Sequence, residues 1–406
     1  MGHPDKKPGL VIHVAGTNGK GSVCSFLASV LREAGVRTGL FTSPHLVRIN
    51  ERISIDGEPI SDEDFARVYE ETSRAAGRLE DGDGGDIAYF EILFLMAMQY
   101  FSEREVGAAV IETGLGGTLD ATNALASPTV TVITSIGLDH TGILGETVEE
   151  IAAEKAGIAK AGVPCVYSAS DPKAAEVIRV RAEAAGASAY PLDPEDFRIT
   201  ALARGEIAFS TSFRYDGRAD FSIRAAAPYQ ASNAALAAFV FYILRETGRF
   251  PEGIKVSGQQ LADGLARMVW AARMEEIRPR VYLDGAHNPQ GIAGFLEAAR
   301  QISGGAACHL LFGVMKDKDY SSMIHLLAGG IPWKSVTVTA PEEARVLVSE
   351  EAAALFRREG LSDVKAEPVV GTALGEVLDR QGDGEYVMIC GSLYLAGEIR
   401  RRNALK

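Results

Sequence analysis

Short apolar, β-branched runs alternate along the chain with segments whose apolar residues recur at helical spacing. The runs at Leu10–Val14, Gly39–Thr42, Ala108–Thr113, Thr129–Ile136 and Pro164–Tyr167 are nearly continuous in hydrophobicity, as strands covered on both faces of a parallel sheet are. Among them, Asp62–Gly77, Phe90–Phe101 and Thr147–Ala159 predict helices, the last opened by Thr147 and Glu150 in a capping-box arrangement. Residues 197–224 change to an alternating pattern with interspersed arginines, which predicts a small antiparallel addition. Tyr229–Glu246 predicts a strongly apolar helix, and a second strand–helix series begins near residue 279. Its strands are expected at Val281–Leu283, His309–Phe312, Ser335–Thr339 and Tyr386–Cys390. The pattern predicts an α/β protein in two parts. A mostly parallel sheet domain of P-loop type occupies 1–272, and a smaller Rossmann-like α/β domain occupies 273–406, with the boundary around Trp270–Pro279.

Length agrees with that division, since 406 residues are many for one core. Apolar residues make up 47% and charged residues 23%, ordinary values for a globular chain. The longest uninterrupted apolar stretch, Ala234–Leu244, is too short to span a bilayer, and no signal-peptide pattern opens the chain. The net charge of −13 argues against nucleic acid as a partner. Cys24, Cys165, Cys308 and Cys390 are scattered without a C-x-x-C pair, so reduced buried thiols and a cytoplasmic location are expected. The acidic, glycine-rich Glu80–Asp86 is expected to be a mobile surface loop rather than a metal site.

The chemistry begins where the first strand ends. Gly16-Thr17-Asn18-Gly19-Lys20-Gly21-Ser22 joins that strand to an amphipathic helix, the arrangement that turns backbone N–H groups and a helix N-terminus toward a phosphate. It is shorter than the common G-x-x-x-x-G-K-[ST] loop, and Gly21 separates Lys20 from Ser22. Further polar segments follow the other strands: Ser43–Leu46, Glu112–Asn123, Leu138–Thr141, Asp284–Pro289 and Gly313–Asp319. In open α/β sheets ligands bind at that edge, so a nucleotide is expected between the two parts. A nucleotide-phosphate site needs a hard divalent cation, and the oxygens of Ser43 and Glu112 with the ring nitrogen of His140 make a candidate Mg²⁺ set. Lys155, in a helix with few other charges, reads from its surroundings alone as an ordinary helix lysine.

Taken together and in order, Gly16–Ser22, Ser43–Leu46, Glu112–Asn123, Leu138–Thr141, Glu154–Ile158, Asp284–Pro289 and Gly391-Ser392 resemble the folylpolyglutamate and dihydrofolate synthases of the Mur ligase superfamily. The resemblance implies an ATP-dependent ligase that activates a folate or dihydropteroate carboxylate as an acyl phosphate. The amino group of L-glutamate then displaces phosphate. It further implies that Thr17, Asn18, Gly19, Lys20, Gly21 and Ser22 hold the ATP phosphates, and that Asn233, Arg273 and Asp284 reach the nucleotide. Ser43, Glu112 and His140 would bind Mg²⁺, Lys155 would carry a carbamate formed with CO₂, and His287 would lie near the chemistry. Ser43, Pro44 and His45 would face the pterin-bearing substrate, in a monomer with no nucleic-acid or membrane partner.

The chain departs from the family pattern in four places. Thr118 stands where an arginine is common, and Ala271-Ala272 replaces the Pro-Gly before Arg273, which predicts a less sharply turned linker. Ala340–Arg345 matches loosely, and only Met1–Gly9 precedes the first strand where a longer helical leader is usual. Three other readings stay open: a ligase of peptidoglycan precursors, a nucleotide-binding protein without catalysis, and a P-loop kinase or NTPase.

Overall fold

The computed structural model describes residues 8–77, 87–203, 205–213 and 217–404; the acidic patch at Glu80–Asp86 lies outside them. The first part runs β1 (Leu10–Ala15), α1 (Lys20–Glu33), β2 (Thr38–Phe41), β3 (Ile53–Ile55), β4 (Glu58–Pro59), α2 (Asp62–Gly77) and α3 (Tyr89–Glu103). It continues with β5 (Ala108–Glu112), β6 (Val130–Ile133), α4 (Thr141–Leu144), α5 (Val148–Lys155), β7 (Pro164–Ser168), α6 (Pro172–Ala184) and β8 (Ser188–Leu192). These strands form one sheet in the order β4-β3-β2-β5-β1-β6-β7-β8. It is parallel from β2 to β8 and antiparallel only at β3 and β4. The central strands are apolar on both faces because helices cover both: every residue of β1, β5 and β6 is buried. The outermost strands, β4 and β8, carry Pro59 and Pro191.

The alternating segment forms β9 (Phe197–Ala203), β10 (Glu206–Phe213) and β11 (Gly217–Ile223), an antiparallel sheet as its pattern predicts. α7 (Tyr229–Glu246) then enters the core, with Ala234 through Leu244 all buried. Its length is set by that packing, since each fully buried Leu, Ile, Val or Phe contributes about 1.5–3 kcal/mol. α8 (Gly258–Arg267) packs on α1 and leads to the second part.

That part comprises β12 (Glu275–Arg278), β13 (Val281–Leu283), α9 (Pro289–Ser303), β14 (Cys308–Phe312), α10 (Tyr320–Gly330), β15 (Trp333–Val338), α11 (Ser349–Arg358), β16 (Val364–Ala366), α12 (Val370–Arg380), β17 (Tyr386–Cys390) and α13 (Leu393–Ala404). Its sheet order is β12-β13-β17-β14-β15-β16, parallel except for β12. The fold is the α/β architecture expected. Sequence periodicity did not reveal the outermost strands β4, β8, β12 and β16, which have at most one buried residue each, or β3, whose three residues are too few to set a period. The helix expected over Thr147–Ala159 is α5 followed by a 3₁₀ turn at Ala156–Ile158; Thr147 Oγ1 accepts from the Glu150 N–H, as its capping box requires. All four cysteines are buried and free.

Candidate active site

The phosphate loop is shaped by its backbone. Gly19 sits at φ 87°, and a Cβ there would run into the Asn233 side chain, so the turn before α1 is open only to glycine. The Thr17 and Asn18 N–H groups donate to Ser135 O at 2.9 and 3.3 Å, which anchors the loop to the end of β6. The Lys20 ammonium folds over its own loop and donates to Gly16 O at 3.0 Å and Thr17 O at 3.3 Å. Ser22 is buried, and its hydroxyl has no hydrogen-bond partner.

Beside the loop lies a set of titratable groups held out of water. Glu112 closes β5, is 3% exposed, and accepts the Ser43 N–H at 3.1 Å. Burial pushes its carboxyl up to about 7, against the pull of Lys20, the Ser43 N–H and Arg273. Lys155 ends α5 and is 4% exposed; burial and the Lys20 charge bring its ammonium down to about 7. The segment after β5 is fastened to α5, where Thr118 Oγ1 donates to Glu154 O at 3.1 Å and the Thr118 N–H donates to Glu154 Oε1 at 3.0 Å. His140 holds a left-handed φ of 51°, and its carbonyl accepts the N–H groups of Ile143 and Leu144. Burial lowers its imidazole pKa, with Asp139 opposing.

The second sheet supplies the facing wall with side chains. Asp284 follows β13 and accepts three bonds: from the Tyr229 hydroxyl at 2.5 Å, the Met274 N–H at 2.8 Å and the Ala286 N–H at 2.8 Å. Burial raises its carboxyl above the ordinary range while Arg273 pulls it down. Asn288 and Gln290, at the start of α9, reach across to the phosphate loop: Asn18 Nδ2 donates to Asn288 Oδ1 at 3.1 Å and Gln290 Oε1 at 2.7 Å. Lys318 donates to Asp139 Oδ1 at 2.7 Å, while Asn288 Nδ2 donates to Asp139 Oδ2 at 3.0 Å. The Lys318 ammonium, ahead of the nearby imidazoles, holds the Asp139 carboxyl well below the usual carboxylate range despite burial. His287 Nε2 stands 3.7 Å from Asp139 Oδ2, and burial brings its imidazole down to about 4.

A cavity of about 550 Å³ lies between the walls. Thr17, Asn18, Gly19, Lys20, Gly21, Ser22, Ser43, Pro44, Glu112, His140, Lys155, Asn233, Arg273, Asp284 and His287 all line it. His45 does not: its Nδ1 accepts from Arg52 Nε at 3.0 Å. Tyr229, Asp139, Lys318 and Gln290 also line the cavity, although sequence reasoning gave them no role. The signal for Asp139 and Lys318 was their place just beyond strand ends; Tyr229 and Gln290 carry no local signal.

The Mur ligase middle domain matches residues 87–241, and the Mur ligase glutamate ligase domain matches residues 267–393. A dihydrofolate synthase/folylpolyglutamate synthase of Bacillus subtilis is 38% identical, over 99% of this chain and 92% of that protein. The chain belongs to the folylpolyglutamate synthase/dihydrofolate synthase family. Among solved members, the Mycobacterium tuberculosis folylpolyglutamate synthase complexed with ADP superposes at a TM-score of 0.89 with 30% identity, covering 99% of this chain and 92% of that one. E. coli FolC in complex with DHPP and ADP gives 0.84 with 28% identity, over 99% and 90% of the two chains.

Against the folylpolyglutamate synthase pattern, one expectation is overturned. The linker is sharply turned despite Ala271-Ala272: Ala272 is fully buried at φ 54°, and Met274 follows at φ 49°. The backbone takes the left-handed turn that glycine favours, and alanine bears the strain because Met274 N–H and Gly285 N–H bonds hold it on both sides. Thr118, at the family's arginine position, lies outside the cavity lining and serves the α5 contact described above. Among the described residues no three His, Cys, Asp or Glu side chains gather into a ready metal cluster. The unpartnered Ser22 hydroxyl and the buried Glu112 carboxylate nevertheless suit a hard cation, whose charge would offset the burial that now favours protonated Glu112. No helix among the described residues is long and apolar enough to cross a membrane.

Proposed function

We propose that this chain joins L-glutamate to the carboxylate of a reduced folate, and to that of dihydropteroate, at the expense of ATP. The observation that carries the reading is a single cavity walled on one side by a glycine-rich phosphate loop with a lysine and on the other by Arg273, Asp284 and His287. The eight-stranded and six-stranded sheets fall on opposite sides of 272/273, which supports a division there and a reaction between two bodies.

In this reading Thr17–Ser22 cradle the ATP phosphates and Asn233, packed against Gly19, contacts the nucleotide. Lys20 exchanges its loop carbonyls for phosphate oxygens, and Arg273 adds charge from across the cleft. Ser43, Glu112 and His140, with Ser22 assisting, would hold magnesium. Bound there, Mg²⁺ neutralises the charge developing on the transferred phosphoryl group. The acceptor carboxylate attacks the γ-phosphorus, ADP departs, and the glutamate amine then attacks the acyl phosphate carbonyl and releases phosphate. Pro44 and the Ser43 side face the acceptor; His45 acts only through Arg52, to which it is bonded. Asp284, with both oxygens engaged, holds the linker and Tyr229 in register rather than meeting ATP directly. His287 stays neutral at physiological pH because of its burial, and serves as a hydrogen-bonding group rather than a cation. The burial that brings the Lys155 ammonium down to about 7 favours the neutral amine that carbamate formation with CO₂ requires.

The test is ADP release by the purified protein with tetrahydrofolate or dihydropteroate as acceptor. Release that requires both an acceptor and L-glutamate is the expected result. Release with neither, or with a peptidoglycan precursor instead, overturns the reading.

A further inference from the structure

Gly21, the residue that sets this phosphate loop apart, owes nothing to backbone conformation. It is the second residue of α1 with an ordinary φ, a position where alanine is the better helix former. The constraint is space. A Cβ on Gly21 would lie 2.9 Å from Cζ2 and 3.1 Å from Nε1 of the Trp270 indole. Trp270 belongs to the segment that carries the chain from α8 to β12, and one face of α1 receives the last turns of α8 and that segment in succession. Ser29 Oγ donates to Gly264 O at 2.7 Å, Ser25 Oγ reaches Val269 O at 3.5 Å, and Gly21 takes the indole. Positions 21, 25 and 29 recur every fourth residue and so share one helix face.

Beyond the indole the chain turns through Ala272, delivers Arg273 to the cavity, and is pinned by the Met274 N–H bond to Asp284. Trp270 also walls a second cavity of about 530 Å³, which shares Gly21, Ser43, Glu112 and Arg273 with the first. The indole thus lies at the point where the linker leaves the helix that begins with Lys20.

We infer that Trp270 is a positioning residue for the ATP-dependent reaction. Its indole, seated on Gly21, holds the turn that presents Lys20 and Ser22. It thereby makes the geometry of the phosphate loop depend on the path of the linker that carries Arg273. Glycine after the lysine is the space this contact needs.

The inference rests on the ligase reading for its turnover arm only. Trp333, the other of the two tryptophans, is buried in β15 with its N–H donated to Leu327 O. In a Trp333→Phe background the remaining indole is Trp270, and ADP titration is expected to shift its emission. Unchanged emission while calorimetry records ADP binding overturns the inference. The second arm is a cycle. Gly21→Ala is expected to cut kcat/KM for ATP at least tenfold in the native background and less than threefold when Trp270→Ala has already vacated the space. Trp270→Phe, which keeps a ring on Gly21, should recover most of what Trp270→Ala loses, with KM for ATP moving and KM for L-glutamate unmoved. An equal cost of Gly21→Ala in both backgrounds, in variants with native melting curves, refutes the contact. Should Gly21→Ala fail to fold, the Trp270→Phe and Trp270→Ala pair decides by the same KM criterion. If the wild type shows no ligase turnover, the ligase reading fails, and the cycle read as ADP affinity still decides the role of Trp270.

Discussion

The glycine-rich loop at the end of β1 presents backbone and one flexible lysine to the cavity, whereas the facing wall beyond the six-stranded sheet presents side chains already bonded to one another. Gly16–Ser22 is shaped by glycine turns and anchored through Ser135 O, and Lys20 rests on loop carbonyls that a phosphate can replace. Opposite, Asp284, Asn288, Gln290 and Lys318 are each already committed to partners, several of them on the first sheet. A backbone cradle can be formed locally and wait for its ligand. A side-chain wall has to be assembled by the fold, and its groups pay for burial with one another's bonds.

The comparison can be broken from either side. The largest effect is expected from Lys20→Ala, which should lower ligation roughly a thousandfold, as loss of a transition-state charge does. Because Lys20 is the first residue of α1 and its ammonium bonds only two loop carbonyls, the melting temperature should hold; a variant with normal turnover would sink the mechanism. On the opposite wall, Asp139→Asn should act first on stability. It leaves Lys318 buried without its counter-charge, at a cost of about 3 kcal/mol measured by urea unfolding, and no loss would show the pair to be ornamental.

Lys155 tests the chemistry between the walls through pH. Its folded pKa of about 7 lies below the ordinary lysine value, so the native state binds fewer protons than the unfolded chain above pH 7. Stability from this group therefore rises with pH from about 7 toward the ordinary lysine pKa, and Lys155→Met should flatten that rise. Neutral amine accumulates over the same limb, so a ¹³C-carbamate signal under labelled bicarbonate should grow as pH passes 7 and vanish in Lys155→Met. A pH-independent signal, or none, returns Lys155 to an ordinary helix lysine. The smallest change concerns the linker. Ala272→Gly relieves a left-handed alanine but gives up a buried methyl and adds chain entropy, so its net effect should stay within about 1 kcal/mol. A loss of several kcal/mol in thermal unfolding would show that the turn carries no strain.

What the sequence disclosed follows the same divide. Strands β1, β5, β6, β13 and β17 were legible because burial on both faces writes a continuous apolar run. The loop was legible because glycine spacing is local. Tyr229 and Gln290 were not, since their meaning comes from partners 55 and 272 positions away in the chain, Asp284 and Asn18. His45 shows the converse: a polar residue in the right segment whose ring is turned to Arg52. The linker shows a third case, in which composition suggested a relaxed path and two tertiary hydrogen bonds imposed a tight one.

The prolines that end the large sheet have a further consequence. An exposed strand recruits another chain by offering alternating N–H and C=O groups, and Pro59 and Pro191 each strike one donor from an outermost strand. With β4 only two residues long, neither border offers a full ladder to an incoming strand. A nascent or partly opened copy therefore has little to zip onto, so the long parallel sheet that carries the phosphate loop is guarded against growing into its neighbour.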